Sequence, residues 1–348
     1  MVAGVHDRHV EKVLVTGGAG FVGSHMCVAL LEAGHEVAVI DSLENSSSVA
    51  LDAVAEITGQ RPVLVVGDCR HRSALDQVMS CMRPSVVLHF AGLKSVAESV
   101  VDPLRYYRHN FQTTAQLLAA MKRNEVFRIV FSSSATVYGD PEVLPVSETV
   151  QTQPANPYGA TKLLVEQMIA DVVRADSRWS AVLLRYFNPV GAHRSGLIGE
   201  DPTHPPANLM PYLLQVAVGR YDALPLCGTD YPTPDGTALR DYIHVMDLAE
   251  GHLAAMEYLQ GASSGTYTFN LGTGRATSVL ELIGVMREVT GLELPYVQHE
   301  RRSGDVAALW ADPSKAKREL GWVANRSLAD MCRDGWAWQS KHPNGYCS

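Results

Sequence analysis

The sequence lacks several features that would point its chemistry elsewhere. No apolar run approaches the ~20 residues of a membrane-spanning helix, so no membrane association is expected. The six cysteines, Cys27, Cys69, Cys81, Cys227, Cys332 and Cys347, are scattered and form no Cys-x-x-Cys pair. A zinc ribbon or dithiol redox centre therefore lacks its ligand spacing, and reduced thiols in a cytoplasmic protein are the expectation. The first ten residues carry His6, Asp7 and Arg8 without an apolar core, which does not read as a secretory leader. There is no basic block: 29 Lys and Arg stand against 37 Asp and Glu, a net charge of −8. Such a balance argues against a nucleic-acid partner, yet a few local arginines suffice for a small anion. His89, His193 and His204 have no ligand spacing, and no metal is expected. Repeats and low-complexity tracts are also missing.

What is present is core-forming material. With 348 residues at 46% hydrophobic, the chain has about two domains' worth of apolar residues and needs no disulfide staples. Strand-like runs at Lys12–Thr16, 36–40, 62–66, 85–90, 127–131 and 181–186 alternate with helical patterns. In the first such pattern, 20–33, Val22, Met26, Ala29 and Leu30 recur at helical spacing. Apolar strands alternating with helices imply right-handed βαβ units and a parallel sheet covered on both faces. After Phe187 the rhythm breaks, with Pro and Gly punctuating helical stretches near 205–219, 246–259, 279–290 and 327–341. The expected organisation is a doubly wound nucleotide-binding domain over 1–187 and a smaller mixed α/β substrate lobe over 188–348. A segment near 236–260 is expected to pack back onto the first. Phe111, Trp336 and Trp338 read as packing residues.

Gly17, Gly20 and Gly23 punctuate the turn between the first strand and first helix in Thr16-Gly17-Gly18-Ala19-Gly20-Phe21-Val22-Gly23. In that setting Gly17 permits a tight turn, Gly20 lets a pyrophosphate approach the backbone, and Gly23 lets the helix pack closely. The helix N-terminus adds free N–H groups and a positive dipole. This is a Rossmann-type dinucleotide site. Asp41, at the end of the second strand, is placed to accept both ribose hydroxyls and to repel a 2′-phosphate, selecting NAD over NADP. Asp68 follows the third strand, where it could bond the adenine amino group or cap its own loop.

Tyr158 and Lys162 are four residues apart, on one helix face. By spacing alone they could be a surface pair. As a catalytic pair they make electrostatic sense. Lowering a Tyr pKa from ~10 to neutrality takes ~4 kcal/mol, and an ammonium ~5 Å away at an effective dielectric of ~20 supplies roughly 3 kcal/mol.

Together with the glycine motif, Tyr158-x-x-x-Lys162 and the serine run Ser132-Ser133-Ser134-Ala135-Thr136 resemble the extended short-chain dehydrogenase/reductase superfamily. Five further stretches narrow the resemblance to its UDP-glucose 4-epimerase family. They are Phe90-Ala91-Gly92-Leu93-Lys94, Leu184-Arg185-Tyr186-Phe187-Asn188-Pro189, Asn208-Leu209-Met210-Pro211-Tyr212, Arg240-Asp241-Tyr242-Ile243-His244-Val245 and Arg301-Arg302-Ser303-Gly304-Asp305. In order, these motifs run from about Lys12 to Gly345.

The resemblance implies a cytoplasmic, homodimeric isomerase of galactose metabolism that interconverts UDP-glucose and UDP-galactose through a 4-keto-hexose with retained NAD. Tyr158 is then the proton acceptor, Lys162 lowers its pKa, and Ser134 bonds the sugar 4-oxygen and could relay its proton; Ser133 is the alternative serine. Phe21, Val22, Asn45, Phe90, Ala91, Gly92, Lys94, Asn110 and Tyr186 join the glycines, Asp41, Asp68, Tyr158 and Lys162 as the implied cofactor contacts. The implied UDP-hexose contacts, besides Lys94, Ser134 and Tyr158, are Phe187, Asn188, Asn208, Leu209, Arg240, Tyr242, Arg302 and Asp305. Arg240 and Arg302 take the diphosphate, and Leu309 sizes the sugar pocket. The competing readings are another nucleotide-sugar enzyme of this scaffold or a non-catalytic nucleotide sensor. The former includes an N-acetylglucosamine or uronate epimerase and a dehydratase. Ala135-Thr136 after Ser134 lacks the Asp-Glu pair of the dehydratases, and a sensor has no need of Tyr158 and Lys162.

Overall fold

The computed structural model describes residues 10–202, 205–206, 208–302 and 304–346. The expectations for His204, Cys347 and the first nine residues lie outside them. The six expected strands form as β1 Lys12–Thr16, β2 Glu36–Asp41, β3 Val63–Val66, β4 Val86–His89, β5 Arg128–Ser134 and β6 Ser180–Tyr186. Four shorter strands follow: β7 Asn188–Val190, β8 Leu224–Cys227, β9 Leu239–Arg240 and β10 Tyr242–His244. The chain then returns through the helix Val245–Gly261 to β11 Gly265–Leu271, which pairs parallel with β6.

The main sheet has seven strands in the order β11-β6-β5-β4-β1-β2-β3. Its central strands are apolar over most of their length because both faces are covered. Val13, Val15, Val37 and Val39 enter one core with Met26 and Leu30 of helix Phe21–Glu32 and Leu248 and Met256 of helix Val245–Gly261. The alternate residues Leu14, Ala38 and Ile40 enter the opposite core with Leu75, Met79, Leu117 and Ile169. The strand order reverses between β1 and β4, so the crevice at their carboxyl ends is the place where such sheets bind ligands.

The main sheet takes its last strand from 265–271, so the returning segment extends past 260 and the chain crosses between the lobes more than once. The second lobe is completed by β12 Thr277–Ser278, β13 Tyr296–His299 and β14 Ala308–Leu309. β9 is held between β12 and β14, β13 pairs with β8, and β10 with β7. Strands of two to four residues carry no readable period, which is why only the helices of this lobe are legible in sequence. Trp338 is buried, as expected, and stacks on His342. Phe111 departs from the packing expectation: its ring is exposed on the helix surface.

Candidate active site

The glycine turn follows β1 at the crevice. Gly17 has φ +71°, and a Cβ there would stand 2.8 Å from the Ala91 nitrogen in the loop after β4. At Gly23 a Cβ would lie 2.2 Å from Gly17 O, so the helix is seated directly on the turn. Gly20 is different: a Cβ would meet only Gly17 O, at 3.3 Å, leaving its outer side open. No side chain caps this helix, and no acid occupies its first turn, formed by Phe21 and Val22 with Gly23. An uncapped N-terminus behind a bare glycine is what a pyrophosphate requires. The nearly buried Asp41 accepts from Ala19 N at 2.9 Å, Leu43 N at 3.0 Å and Ser46 Oγ at 2.8 Å. A carboxylate has about four acceptor sites, so one remains for a ribose hydroxyl. These residues fit NAD. Asn45 is exposed beside them. Asp68 is committed to its own loop: burial would raise its pKa, but hydrogen bonds from Arg70 outweigh that and hold it low.

The loop after β4 carries Phe90, Ala91, Gly92 and Lys94. Asn110, buried in a single π-helical turn Tyr107–Phe111, accepts from Leu93 N at 2.8 Å and donates to Leu93 O at 3.1 Å and Thr161 Oγ1 at 3.0 Å. Its amide therefore holds the loop, and both donor hydrogens are spent on protein. Lys94 Nζ pairs with Glu200 Oε1 at 2.5 Å and lies 5.9 Å from the Phe21 ring centroid.

The serine run ends β5, and strand alternation sorts its members. Ser133 points to the far side, where its hydroxyl donates to Glu166 Oε1 at 2.5 Å. Glu166 in turn is gripped by Arg185, Nη2 to Oε2 at 2.6 Å and Nε to Oε1 at 2.9 Å, with both side chains buried. Ser132 bonds the Tyr186 hydroxyl. Ser134 faces the hydroxyl of Tyr158 and lowers its pKa. Tyr158 and Lys162 project from helix Pro157–Ala175, whose start is set by Pro157 and by Asn156 capping Gly159 N at 2.9 Å.

Lys162 Nζ donates to Ser132 O at 2.8 Å and stands 5.9 Å from the Tyr158 ring centroid. Burial pushes Lys162 down to about 8, opposed by the Glu166 charge. Burial likewise pushes Tyr158 up to about 12, and the opposing influence is the Ser134 hydroxyl. Lys162 is expected to supply most of the shift that brings Tyr158 toward neutrality, with the positive nicotinamide ring supplying the rest. Its ammonium is aimed at a backbone carbonyl, and desolvation governs the phenol.

In the second lobe a cavity of about 190 Å³ gathers Asn188, Asn208, Leu209, Arg240, Tyr242, Arg302 and Asp305. Arg240 Nη1 donates to Leu239 O at 2.9 Å, and its Nη2 lies 3.8 Å from Asp305 Oδ1. Arg302 Nε lies 3.2 Å from Cys227 Sγ at the end of β8. Cys227 also lines the cavity, and sequence reasoning missed it because Leu224-Pro225-Leu226-Cys227 has neither strand alternation nor a motif. Phe187 and Leu309 do not line this cavity. They are buried in an apolar cluster with Ala135, Val137 and Tyr138, immediately after Ser134 in sequence. The Tyr186 ring packs 5.8 Å from His252, which also lies 4.8 Å from Phe90.

Residues 13–272 match the NAD dependent epimerase/dehydratase family. The chain is 54% identical to a UDP-glucose 4-epimerase of Bacillus subtilis over 97% of its own length and 99% of that protein. It is 52% identical to one of Neisseria meningitidis over 97% and 99%. Its structure superposes with a TM-score of 0.93 on the UDP-glucose 4-epimerase of Bifidobacterium longum solved with NAD⁺ and UDP. That match has 49% identity and covers 96% of this chain and 99% of that one. With the glycine turn, the Ser134–Tyr158 contact and the arginine-lined cavity on one scaffold, the chain belongs to the NAD dependent epimerase/dehydratase family and, within it, to the UDP-glucose 4-epimerases.

Proposed function

We propose that the protein inverts C4 of UDP-glucose and UDP-galactose, with NAD retained and a 4-keto-hexose as intermediate. One observation carries the residue assignments: Ser134 faces Tyr158 at the carboxyl end of β5, beside the crevice, while Asn188, Asn208, Leu209, Arg240, Tyr242, Arg302 and Asp305 share one cavity. When bound, NAD supplies the hydride acceptor and a positive ring. Tyr158 takes the 4-hydroxyl proton in one half-reaction and returns it in the other. Ser134 opposes the effect of burial by donating to the phenolate. Lys162, held on Ser132 O, adds a buried positive charge near it. Arg240 and Arg302 hold the diphosphate through charge-assisted bonds, and Asn188 and Asn208 add amide contacts. A firm grip on UDP and a loose one on the hexose let the keto sugar present either face.

The test is the purified protein with UDP-galactose and no added NAD, following UDP-glucose, with the bound nucleotide released and identified. Turnover with NAD(H) aboard is expected; NADP(H) would overturn the Asp41 assignment. Tyr158→Phe should lose ~100-fold or more in kcat while still binding UDP.

The chain is further read as a homodimer. Val101, Leu104, Tyr107 and Phe111 are exposed on adjoining turns. Phe111 also borders an apolar groove with Leu164, Met168 and Val172 of helix Pro157–Ala175. A second copy of the chain is the partner this apolar face fits, and Phe111→Glu should halve the mass measured by light scattering. The free thiols of Cys27, Cys69, Cys81, Cys227 and Cys332 support a cytoplasmic setting.

A further inference from the structure

Ser134 carries more bonds than a relay can use. Its oxygen accepts the backbone N–H of Thr136 at 3.2 Å and lies 2.9 Å from Thr136 Oγ1. It also faces the Tyr158 hydroxyl, whose pKa it lowers. A serine hydroxyl has one proton and two acceptor lone pairs. The Thr136 N–H can only donate, so it takes one lone pair. When Tyr158 is ionised, as a proton acceptor must be, the phenolate has no proton to give, and the Ser134 proton lies toward it. The remaining bond must then run from Thr136 Oγ1–H to Ser134. Both lone pairs of Ser134 are filled by the same residue, and none is left for a sugar hydroxyl.

We propose that Thr136 is a positioning residue that makes Ser134 a donor only, so that the hexose 4-hydroxyl passes its proton directly to Tyr158. The proposal rests on the epimerase reading and reverses the sequence-based expectation of a serine relay. In the oxidative half-reaction the O4–H bond breaks and an Oη–H bond forms on Tyr158. The O4 electron pair becomes the C4=O π bond as the C4–H pair leaves as hydride to the bound cofactor. The return half-reaction reverses each change. Thr136 is well placed for the task. It sits in the short turn Ala135–Tyr138 that Ser134 itself caps, and its carbonyl abuts Gly159, next to Tyr158. The turn and the tyrosine helix are thereby held in one register.

The experiment compares the holoenzyme with Thr136→Val, which keeps the branched shape and the backbone N–H, and with Thr136→Ser, which restores the hydroxyl. A Ser134 that no longer receives the threonine proton is a less polarised donor to the phenolate. Thr136→Val should therefore lose ~10-fold in kcat. Its KM for UDP-galactose should stay within about twofold of wild type, because the UDP anchor is untouched. The acid limb of its pH profile should move upward, since the phenolate is less stabilised, and Thr136→Ser should restore rate and profile together. A Val variant with the wild-type pH profile overturns the proposal.

A second measurement uses unaltered enzyme and decides the matter if the Val variant does not fold. Single-turnover rates in H₂O–D₂O mixtures should vary linearly with deuterium fraction, one proton being in flight; a bowed curve means a relay and overturns the proposal. A wild type that does not turn over UDP-galactose overturns the functional reading itself.

Discussion

Gly159 lies against Thr136 so closely that a Cβ would stand 2.7 Å from the Thr136 carbonyl oxygen and 3.0 Å from Pro154 Cβ. The helix that carries Tyr158 therefore rests on the backbone of the turn that follows Ser134. A backbone oxygen cannot swing aside as a flexible side chain can. Gly159→Ala must move the turn or the helix, and the facing Ser134 and Tyr158 lie one on each. The expected result is a ~10- to 100-fold loss of kcat, the scale of a disturbed general base. Overpacking costs ~1–3 kcal/mol, while alanine returns up to ~1 kcal/mol of helix propensity. Turnover is the sharper readout, and an Ala variant with wild-type kcat would show that the contact does not set the catalytic register.

Lys162 predicts a trade of activity for stability. Burial lowers its folded pKa to about 8, below the ~10.4 of an unfolded lysine. Below pH 8 the folded state carries a charge that burial penalises. Between pH 8 and about 10.4 the unfolded chain holds the proton that the folded one has lost, so wild-type stability from this group rises with pH. Lys162→Met removes the charge and fills similar space. The variant should be inactive. It should gain thermal stability relative to wild type at pH 7, and that advantage should shrink as pH rises through the window. Melting curves at pH 7 and pH 9.5 test this; an advantage that grows with pH contradicts it.

Arg302 should matter to binding. Its truncation to Ala leaves diphosphate charge without a charge-assisted partner, which costs ~2 kcal/mol or more, roughly 30-fold in UDP affinity. Calorimetric titration with UDP reads this directly. Unchanged affinity would place the guanidinium outside the anchor, on the Cys227 side of the cavity.

Leu309 is predicted to bias the hexose pocket. It is buried with Ala135, Val137 and Phe187 and is paired in register with Arg240, so it links the serine turn to the strand that carries Arg240. Its closely packed surroundings resist an added N-acetyl group, since even small overpacking costs ~1–3 kcal/mol. Wild type should convert UDP-glucose and UDP-galactose efficiently and UDP-N-acetylglucosamine weakly. Leu309→Ser should gain on the N-acetyl sugar. Equal efficiency of the wild type on both pairs removes the restriction, and a Ser variant without the gain removes Leu309 as its cause.

The glycine turn, the first six strands and the Tyr158–Lys162 pair were legible because each depends on short-range periodicity. Alternation across the sheet, 3.6-residue spacing and a turn between strand and helix are written within a few residues of one another. The anchoring residues were legible only as motifs. Their convergence in one cavity depends on β9 being held between β12 and β14, strands of two residues each with no signature of their own. The chain's return to the main sheet through β11 was legible only in part, because a parallel partner 85 residues away, Gly265 opposite Ser180, leaves no local trace.

Sequence by itself determined the fold class, the cofactor class and which residues could take part, because these follow from residue type and local spacing. Only the tertiary structure decided which of three adjacent serines faces Tyr158. Ser133 is drawn to the buried Glu166–Arg185 pair, and Ser134 is left between Thr136 and the phenol. Tertiary structure also decided the electrostatics. Equal spacing along a helix says that an ammonium and a phenol are neighbours, but burial and hydrogen-bond partners set what each one's proton costs. For Tyr158 the deciding partner is Ser134, and desolvation is the larger effect.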